Sequence, residues 1–389
     1  MIKIAHIQLL PLLSGVQRVC LDELIRLDDN KFDKYLICKE EGPLTTEAKK
    51  YGIKCLVVKN LVRELSLKND LKALWSLWKI IKKHNFDIVH THSSKTGVLG
   101  RVAAYLNRTS LIVHTVHGFS FPIAKNKLQR ILFWLMEKIG SICGDIIICL
   151  HEDDARIARS ILKISEHKIC IISNGVDIEK FKPYDKSRKL LCRENIIDIN
   201  SDDIIIGMIG RLWPQKNPIC LLHAVSEIIK SNKQVKCFFI GDGELYEQMA
   251  YFIKLNDLSD NIKLFGWRND TYSFLNAMDI FVLPSLWEGM PLAILEAKSS
   301  GLPCVVSNIQ GNRSIIDGVE DGLLFDLDLG WYDLYEKLQI LIGDPQLRYD
   351  IGKKARLSVI NHYNIASRIQ RIEDIYLEKI KQKHLHLNS

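Results

Sequence analysis

Two series of short β-branched segments, each alternating with helical segments, constrain the fold of this chain more than any other feature. The first series comprises Ile2–Leu9, Tyr35–Cys38, Cys55–Val58, Ile88–His90, Leu111–Val116, Ile146–Cys149 and Ile169–Ile172. The second series comprises Ile204–Ile209, Val235–Ile240, Ile262–Phe265, Ile280–Leu283, Cys304–Val306 and Leu323–Phe325. Strands that alternate with helices are typical of parallel sheets covered by helices on both faces. The pattern therefore predicts two doubly wound α/β domains.

The two series are separated by a charge-rich segment with little apolar periodicity. We predict an N-terminal domain over residues 1–182, a linker over 183–203, a C-terminal domain over 204–362, and a C-terminal helix with a basic tail over 363–389. A chain of 389 residues is too long for one ordinary core, which agrees with two domains. Doubly wound domains place ligand sites at the carboxyl ends of their strands, so we expect two such ends to face an interdomain cleft.

The charge of the chain is unevenly distributed. Residues 1–184 carry 29 Lys and Arg against 19 Asp and Glu, a net charge of +10, and the remainder carries 24 against 27, a net charge of −3. A basic N-terminal half indicates an anionic partner, such as a membrane surface or a lipid-linked phosphate. No nucleic-acid-binding motif accompanies the charge, so we expect no nucleic-acid partner.

Cysteine usage and apolar runs predict a cytosolic protein. The cysteines are scattered through apolar segments and form no CxxC pair, which is typical of reduced thiols. A strand begins at Ile2, so we expect no signal peptide. The longest apolar run, Ile131–Leu150, contains Glu137, Lys138 and Asp145 and should not span a bilayer.

Two carboxylates eight positions apart, Glu288 and Glu296, mark the most informative motif. Pro291 suits the first turn of a helix, where a missing N–H leaves nothing unsatisfied. The helix that follows is apolar around most of its circumference, so a glutamate inside it needs a partner. Free amides near Gly289 and Met290 would form an anion site at the helix N-terminus. Carboxylates can accept hydrogen bonds from sugar hydroxyls, and the neighbouring amides can bind phosphate. Together they indicate a sugar-nucleotide pocket.

A second motif, Gly210-Arg211-Leu212-Trp213-Pro214-Gln215-Lys216, follows the strand Ile204–Ile209 directly. Asn217 suits a helix N-cap and Pro218 a first helical position. Arg211 and Lys216 would therefore lie at the carboxyl end of a strand, where two cations can stabilise a diphosphate leaving group. The alternative is a pair of solvated surface cations.

Three weaker motifs also follow predicted strands. Residues 239–244, FIGDGE, resemble a dinucleotide-binding turn, but Tyr246 occupies the place of the third glycine. Two interpretations remain: a tight turn near a nucleotide, or a purely structural turn. Gly15, after Ser14, allows close approach of backbone to phosphate. His117, before Gly118, either bonds a sugar hydroxyl or is a structural histidine.

Two further features remain open at this point. His90 and His92 share a face of one strand, but no third ligand stands at a recognisable spacing, so we expect no metal site. The segment 121–140 mixes aromatic and aliphatic residues, including Phe133 and Trp134, with basic residues, including Lys125. It fits either a helix in a membrane interface or an ordinary helix covering the sheet.

Taken together, these residues resemble family 4 glycosyltransferases, retaining enzymes of the GT-B fold. The motifs that carry the resemblance are the E-x7-E pair Glu288 and Glu296, the loop residues Gly210, Arg211 and Lys216, the glycine loop at Gly15, His117-Gly118, and residues 87–92 and 173–177. The resemblance covers most of the chain and is strongest from Ile204 to Phe325. It implies two Rossmann-like domains facing a cleft, with a final helix that crosses back to the first domain.

The resemblance also implies roles for individual residues. Glu296 would hold the donor ribose, Glu288 and His117 would contact the donor sugar, and no metal or cofactor would be needed. The implied catalytic set is Glu288, His117, Arg211 and Lys216, and the implied donor-binding set is Gly15, Arg211, Lys216, Gly289, Met290, Leu292 and Glu296. Two departures from the family pattern are Ser14-Gly15, where many members have two glycines, and the lack of a glutamate near Ser314.

We therefore predict a retaining hexosyl- or N-acetylhexosaminyl-transferase that moves a sugar from a nucleotide donor, expected to be UDP-linked. The acceptor would be a polyprenyl-diphosphate-linked glycan of O-antigen, lipopolysaccharide or capsule biosynthesis. The enzyme would be cytoplasmic and peripheral on the inner face of the cytoplasmic membrane, in contact with its anionic surface. The alternatives are a sugar-nucleotide epimerase of the same fold and a non-catalytic sugar-nucleotide-binding subunit.

Overall fold

A computed structural model of the protein describes residues 1–62, 66–122, 124, 126–184 and 199–387. The chain forms two compact units, one of residues 1–174 with 366–389 and the other of residues 175–365. The chain passes from the first unit to the second between Asn174 and Gly175. Residues 185–198, most of the predicted linker, lie outside the described part.

The first unit is built on a parallel sheet with the strand order β3-β2-β1-β4-β5-β6-β7. Its strands are β1 (Ile2–Ile7), β2 (Phe32–Cys38), β3 (Lys54–Val57), β4 (Ile88–His92), β5 (Leu111–Val116), β6 (Ile146–Cys149) and β7 (Ile169–Ile171). Its helices are α1 (Gly15–Arg26), α2 (Pro43–Lys50), α3 (Leu67–His84), α4 (Ser94–Leu106), α5 (Lys127–Cys143) and α6 (Glu152–Ser160). The order reverses between β1 and β4, which is where doubly wound sheets bind ligands.

The second unit repeats this plan with the strand order β10-β9-β8-β11-β12-β13. Its strands are β8 (Ile204–Ile209), β9 (Val235–Ile240), β10 (Ile262–Leu264), β11 (Ile280–Leu283), β12 (Cys304–Ser307) and β13 (Leu323–Phe325). Its helices are α7 (Pro218–Ser231), α8 (Tyr246–Leu255), α9 (Thr271–Ala277), α10 (Leu292–Ser299), α11 (Gln310–Arg313), α12 (Trp331–Gly343) and α13 (Pro345–His362). Here the order reverses between β8 and β11.

The strands match the predicted segments closely because helices cover both faces of each sheet. β6 and β11 are buried along their whole length, and such strands appear in the sequence as continuous apolar runs. β4 is longer than predicted, since Thr91 and His92 continue its pairing with β5. Both residues are fully buried, so polar side chains hid the end of this strand from the apolar pattern.

The last helix, α14 (Ile365–Leu387), begins at the end of the second unit and packs on the first. Arg368 donates to the carbonyl oxygens of Ile172 at 2.9 Å and Ser173 at 2.6 Å, and to Glu23 Oε1 at 2.5 Å. Tyr376, farther along the helix, is fully buried. This is the return to the first domain that the GT-B resemblance implies.

Candidate active site

The reversal of strand order in the second unit brings two predicted motifs together. The loop after β8 carries Lys216, and the loop after the neighbouring strand β11 carries Glu288. The two loops are joined directly, because Leu286 N donates to Gln215 O at 2.8 Å and Gln215 Nε2 donates to Trp287 O at 3.0 Å. The motifs are 72 residues apart in sequence and adjacent in the fold.

Lys216 and Glu288 form an ion pair at the centre of this site. Lys216 Nζ donates to Glu288 Oε1, and the two side chains are only 14% and 9% exposed. Ser285 Oγ donates to the same carboxylate oxygen at 2.7 Å. A largely buried carboxylate is stabilised by such charge-assisted hydrogen bonds. These contacts fix the positions of the Lys216 ammonium and the Glu288 carboxylate near the N-terminal end of α10.

A buried polar relay, which sequence reasoning missed, supports the Glu288 loop. Ser307 Oγ donates to Ser285 O at 2.5 Å, and Asn312 Nδ2 donates to Ser307 O at 3.0 Å and lies 3.1 Å from its Oγ. All three side chains are fully buried. Asn312 lies in the segment noted for its missing glutamate. No local pattern marks these residues, because the relay joins the ends of two different strands.

Close backbone packing fixes the loops around the site. A Cβ at Gly311 would lie 2.4 Å from Gly289 O and 2.5 Å from Glu288 O, so only glycine allows α11 to approach this loop. Gly241, with φ of +146°, would place a Cβ 1.9 Å from Gly210 O. The FIGDGE segment is therefore a tight turn that packs on the Lys216 loop, and α8 begins after it at Tyr246.

The helix after Glu288 differs slightly from its prediction. α10 begins at Leu292, and Pro291 is its N-cap rather than its first residue. Ile294 and Leu295 are fully buried, whereas Glu296 is only partly buried and has interaction partners. Gly289 and Leu292 are also partly exposed, and Met290 is buried. The E-x7-E spacing thus places one carboxylate in the loop before α10 and the other within the helix.

The remaining predicted residues of the second unit lie on the β8 loop. The Arg211 guanidinium stacks 4.3 Å from the centroid of the Trp213 ring, a cation–π contact that orients it. Pro218 is the first residue of α7, as predicted. Asn217 precedes it but makes no capping bond through its side chain and has φ of +51°. The left-handed conformation of Asn217 turns the chain between Lys216 and α7.

The predicted residues of the first unit follow two strands of its sheet. Gly15 is the first residue of α1, after β1, and its N-cap Ser14 donates from Oγ to Gln17 Oε1 at 2.6 Å. His117 follows β5 and is partly exposed. Its Nε2 lies 3.1 Å from His92 Nδ1. β4 lies between β1, which precedes Gly15, and β5, which precedes His117.

A buried histidine cluster lies beside His117. The side-chain atoms of His6, Glu23, His90 and His92 that could ligate a metal lie within 4.8 Å of one another, and all four side chains are fully buried. The fold therefore supplies the additional metal-type ligands that sequence spacing did not reveal. Burial raises the pKa of Glu23, although Arg368 opposes this, and it lowers the pKa of His6 to about 3.

Two exposed apolar stripes, one on α3 and one on α5, are the other notable feature of the first unit. On α5, five residues at helical spacing are between 42% and 78% exposed, namely Leu128, Ile131, Leu135, Ile139 and Ile142. On α3, three residues four positions apart are between 58% and 86% exposed, namely Leu67, Leu71 and Trp75. α4 packs between these two helices. Such an exposed apolar stripe is typical of an interaction surface.

The inward face of α5 is fixed by buried contacts. Arg101 on α4 donates to Glu137 at 3.0 Å, with side chains 1% and 5% exposed, and a Cβ at Gly140 would clash with the guanidinium. Phe133 and Trp134 pack on the core, so the aromatic residues do not lie on the exposed stripe. Lys125, one of the basic residues considered with this helix, lies outside the described residues. Within the described part of the chain, no helix combines the length and apolarity that crossing a bilayer requires.

Two family sequence models match the chain, one in each half. The model described as "Glycosyltransferase Family 4" matches residues 13–180, and the model described as "Glycosyl transferases group 1" matches residues 193–358. The first match covers the Gly15 and His117 segments. The second covers the Lys216 and Glu288 loops.

Similar proteins include named transferases and solved structures. An Escherichia coli UDP-Gal:α-D-GlcNAc-diphosphoundecaprenol α-1,3-galactosyltransferase is 44% identical over 98% of both chains. A Campylobacter jejuni N,N'-diacetylbacillosaminyl-diphospho-undecaprenol α-1,3-N-acetylgalactosaminyltransferase is 27% identical over 91% of this chain and 94% of that one. The crystal structure of Anabaena HepE with UDP and glucose is 18% identical, with a TM-score of 0.82 over 97% of this chain and all of that chain.

Proposed function

The chain belongs to the family 4 glycosyltransferases, and we propose that it transfers galactose from UDP-galactose to α-GlcNAc-diphosphoundecaprenol in surface polysaccharide biosynthesis. That the protein is a glycosyltransferase of GT-B fold follows from the family matches and from 44% identity to the E. coli galactosyltransferase. The donor sugar and the acceptor are extended to this chain from that relative. The observation that carries the proposal is the Lys216–Glu288 pair at the strand-order reversal of the second unit.

The proposed donor site uses the charges of both loops. Lys216 and Arg211 neutralise the diphosphate as it leaves, because negative charge grows there in the transition state. Glu288, held by Ser285, accepts hydrogen bonds from the sugar hydroxyls. Glu296 holds the ribose, and the backbone of Gly289, Met290 and Leu292 approaches the phosphates at the start of α10.

In the first unit, we assign Gly15 to the close approach of backbone to phosphate or sugar, and His117 to the donor sugar. Gly15 is exposed and His117 is partly exposed, and each follows a strand of the first sheet. The reaction retains the anomeric configuration, since an α-linked product is formed from an α-linked UDP-sugar. We expect no metal requirement, because Lys216 and Arg211 supply the positive charge that a Mg²⁺ would otherwise bring to the diphosphate.

We further propose that the apolar stripes of α3 and α5 place the enzyme on the inner face of the cytoplasmic membrane. An apolar stripe bordered by basic residues binds anionic lipid by burial and by charge. Lys68, Lys72 and Lys127 border the stripes and are exposed. An undecaprenyl acceptor is itself anchored in the membrane, so docking would raise its concentration near the enzyme.

The test is transfer by the purified chain from UDP-galactose to α-GlcNAc-diphosphoundecaprenol, with a panel of other UDP-sugars for comparison. Product mass shows which class of sugar has been added, comparison across the donor panel identifies the sugar, and NMR gives the anomeric configuration. We expect galactose transfer with an α-linked product, unaffected by chelators. Lys216→Ala should lower kcat by about 10²- to 10³-fold, the usual effect of removing one transition-state charge contact. Lys230→Ala, a change at an exposed lysine of the same unit, is the matched control.

The alternatives give different results. Conversion of the nucleotide sugar without acceptor would identify an epimerase, and nucleotide binding without product from any donor would identify a binding subunit. An inverted product would exclude retention. Unchanged transfer by Glu288→Gln or Lys216→Ala would remove these residues from the site.

A further inference from the structure

Three imidazoles form a continuous hydrogen-bonded chain in the first unit. His6 Nδ1 on β1 lies 3.0 Å from His92 Nε2 on β4, and His92 Nδ1 lies 3.1 Å from His117 Nε2 at the end of β5. His6 and His92 are fully buried, whereas His117 is partly exposed. This row of three hydrogen-bonded imidazoles therefore runs from the core of the sheet to the edge where the donor sugar is proposed to bind.

Because these three rings are neutral, the hydrogen bonds between them must all be donated in one direction. Burial lowers the pKa of His6 and of His117 to about 3, and that of His92 well below its ordinary value, so all three rings are neutral at neutral pH. A neutral imidazole has one N–H and one lone pair. Each contact needs one donor and one acceptor, so all the rings of the chain must donate in the same direction.

The inner end of the chain selects that direction. His6 Nε2 is buried and has no hydrogen-bond partner among the residues that the structure describes. If the rings donated inward, this atom would carry an N–H buried without an acceptor, which is rare in proteins. If they donate outward, it carries only a lone pair, and His6 Nδ1–H also faces Cys20 Sγ at 3.5 Å. The outward direction leaves the smaller penalty.

We propose that His6 and His92 hold His117 in its Nδ1–H tautomer, so that His117 offers the donor sugar an N–H group rather than a lone pair. His92 occupies His117 Nε2, and Nδ1 is the nitrogen that remains for a substrate oxygen. His6 and His92 are positioning residues, since they act through His117 and do not reach substrate. The catalytic consequence rests on the proposed contact between His117 and the donor sugar, but the tautomer itself does not.

A metal site is the competing interpretation of this cluster, and the contacts disfavour it. His90 Nδ1 is engaged by the Tyr376 hydroxyl at 2.5 Å, and His6 and His92 direct their nitrogens at each other. Glu23 forms an ion pair with Arg368. Binding a metal would break these contacts, so we assign the cluster to hydrogen bonding.

The experiment is a two-bond ¹H–¹⁵N correlation spectrum of the full chain at neutral pH, with His117 assigned by its loss in His117→Gln. We expect a protonated Nδ1 and an unprotonated Nε2 in the wild type, without substrate. An Nε2–H tautomer, which free histidine favours in water, would overturn the proposal. Stoichiometric zinc, manganese or cobalt in the purified protein, lost in His6→Ala, would also overturn it.

A matched pair of variants at His92 connects the tautomer to activity. The amide of His92→Asn lies near the position of Nδ1 and keeps a donor for His117, whereas that of His92→Gln lies near Nε2 and does not. We expect His92→Asn to keep the wild-type tautomer with kcat within about threefold, and His92→Gln to change the tautomer and lower kcat at least about tenfold. Both should unfold at similar temperatures.

The two readouts separate this proposal from the proposed function. A changed tautomer with unchanged transfer in His92→Gln would refute the role of His117 at the sugar. Equal tautomers and equal losses of transfer in both variants would show that His92 has only a structural role, and would overturn the proposal.

Discussion

The buried histidines make the first unit sensitive to acid. In the unfolded chain a histidine takes up its proton near pH 6.5, whereas burial lowers the pKa of His6 and His117 to about 3. For a group whose pKa is depressed by folding, stability is present above the unfolded pKa and is lost as pH falls toward the folded one. At pH 5.5 each of these two histidines therefore costs about 1.4 kcal/mol of unfolding free energy.

Other buried groups decide the net effect. His90, His92 and His114 are also buried with pKa values well below the ordinary range, so they act in the same direction as His6. Asp154 acts oppositely, because burial raises its pKa to about 7 and it takes up a proton on acidification while folded. Asp154 regains about 2 kcal/mol between pH 7.5 and 5.5, and Glu23, whose pKa is also raised, adds in the same sense. His6 and His117 together lose about 2.8 kcal/mol and Asp154 regains about 2 kcal/mol, and the three other histidines outnumber Glu23, so we expect a net loss of unfolding free energy of at least about 1 kcal/mol.

Hydrogen exchange measured by mass spectrometry at pH 7.5 and 5.5 checks this expectation. After correction for the intrinsic pH dependence of exchange, peptides from β1, β4 and β5 should open at least about fivefold more often at pH 5.5, which corresponds to about 1 kcal/mol at about 1.4 kcal/mol per factor of ten. Peptides from β8 and β11 provide an internal control. The histidines of the second unit, His223 and His362, are not buried.

One substitution tests whether the cluster is responsible. His6→Asn should reduce the pH dependence by close to one proton, while His167→Asn, at an exposed site in the same unit, should leave it unchanged. Equal acid sensitivity of the two units, or an unchanged first unit at pH 5.5, would refute the reasoning.

Three further predictions concern the site, the last helix and the apolar stripes. Ser307→Ala removes the bond to Ser285 O and should destabilise the second unit by about 1–2 kcal/mol in urea unfolding, with a raised KM for the UDP-sugar; unchanged kinetics would exclude Ser307 from support of the site. Arg368→Ala leaves Glu23 buried without its cation and should cost about 3–5 kcal/mol, whereas the double change Arg368→Met with Glu23→Gln should cost less. Ile131→Asp should weaken sedimentation with anionic vesicles at least about tenfold, and Ile131→Met should not; equal binding by the two variants would exclude this face as the membrane contact.

Much of the fold could be predicted because helices cover both faces of each sheet. Strands such as Ile204–Ile209 and Ile280–Leu283 are continuous apolar runs, and their observed bounds equal the predicted ones. The pattern failed where polar residues are buried. β4 continues to His92, beyond its predicted end, because Thr91 and His92 find hydrogen-bond partners inside the fold, in His114 and His6.

The face that α5 exposes also required the structure. The sequence marks an amphipathic helix with aromatic residues, but it does not say which side meets the sheet. The buried Arg101–Glu137 pair and the packing of Phe133 and Trp134 turn the aliphatic stripe outward. Only contacts between helices decide this rotation.

The sequence by itself determined the elements, their alternation and the loops that carry Lys216, Glu288 and Glu296, because periodicity and turn residues act over short distances along the chain. Only the tertiary structure decided which of these residues meet. Strand order places β8 beside β11 and β1 beside β4, and it thereby pairs Lys216 with Glu288 and joins His6 to His92. Strand order depends on how whole elements pack, so no local pattern contains it.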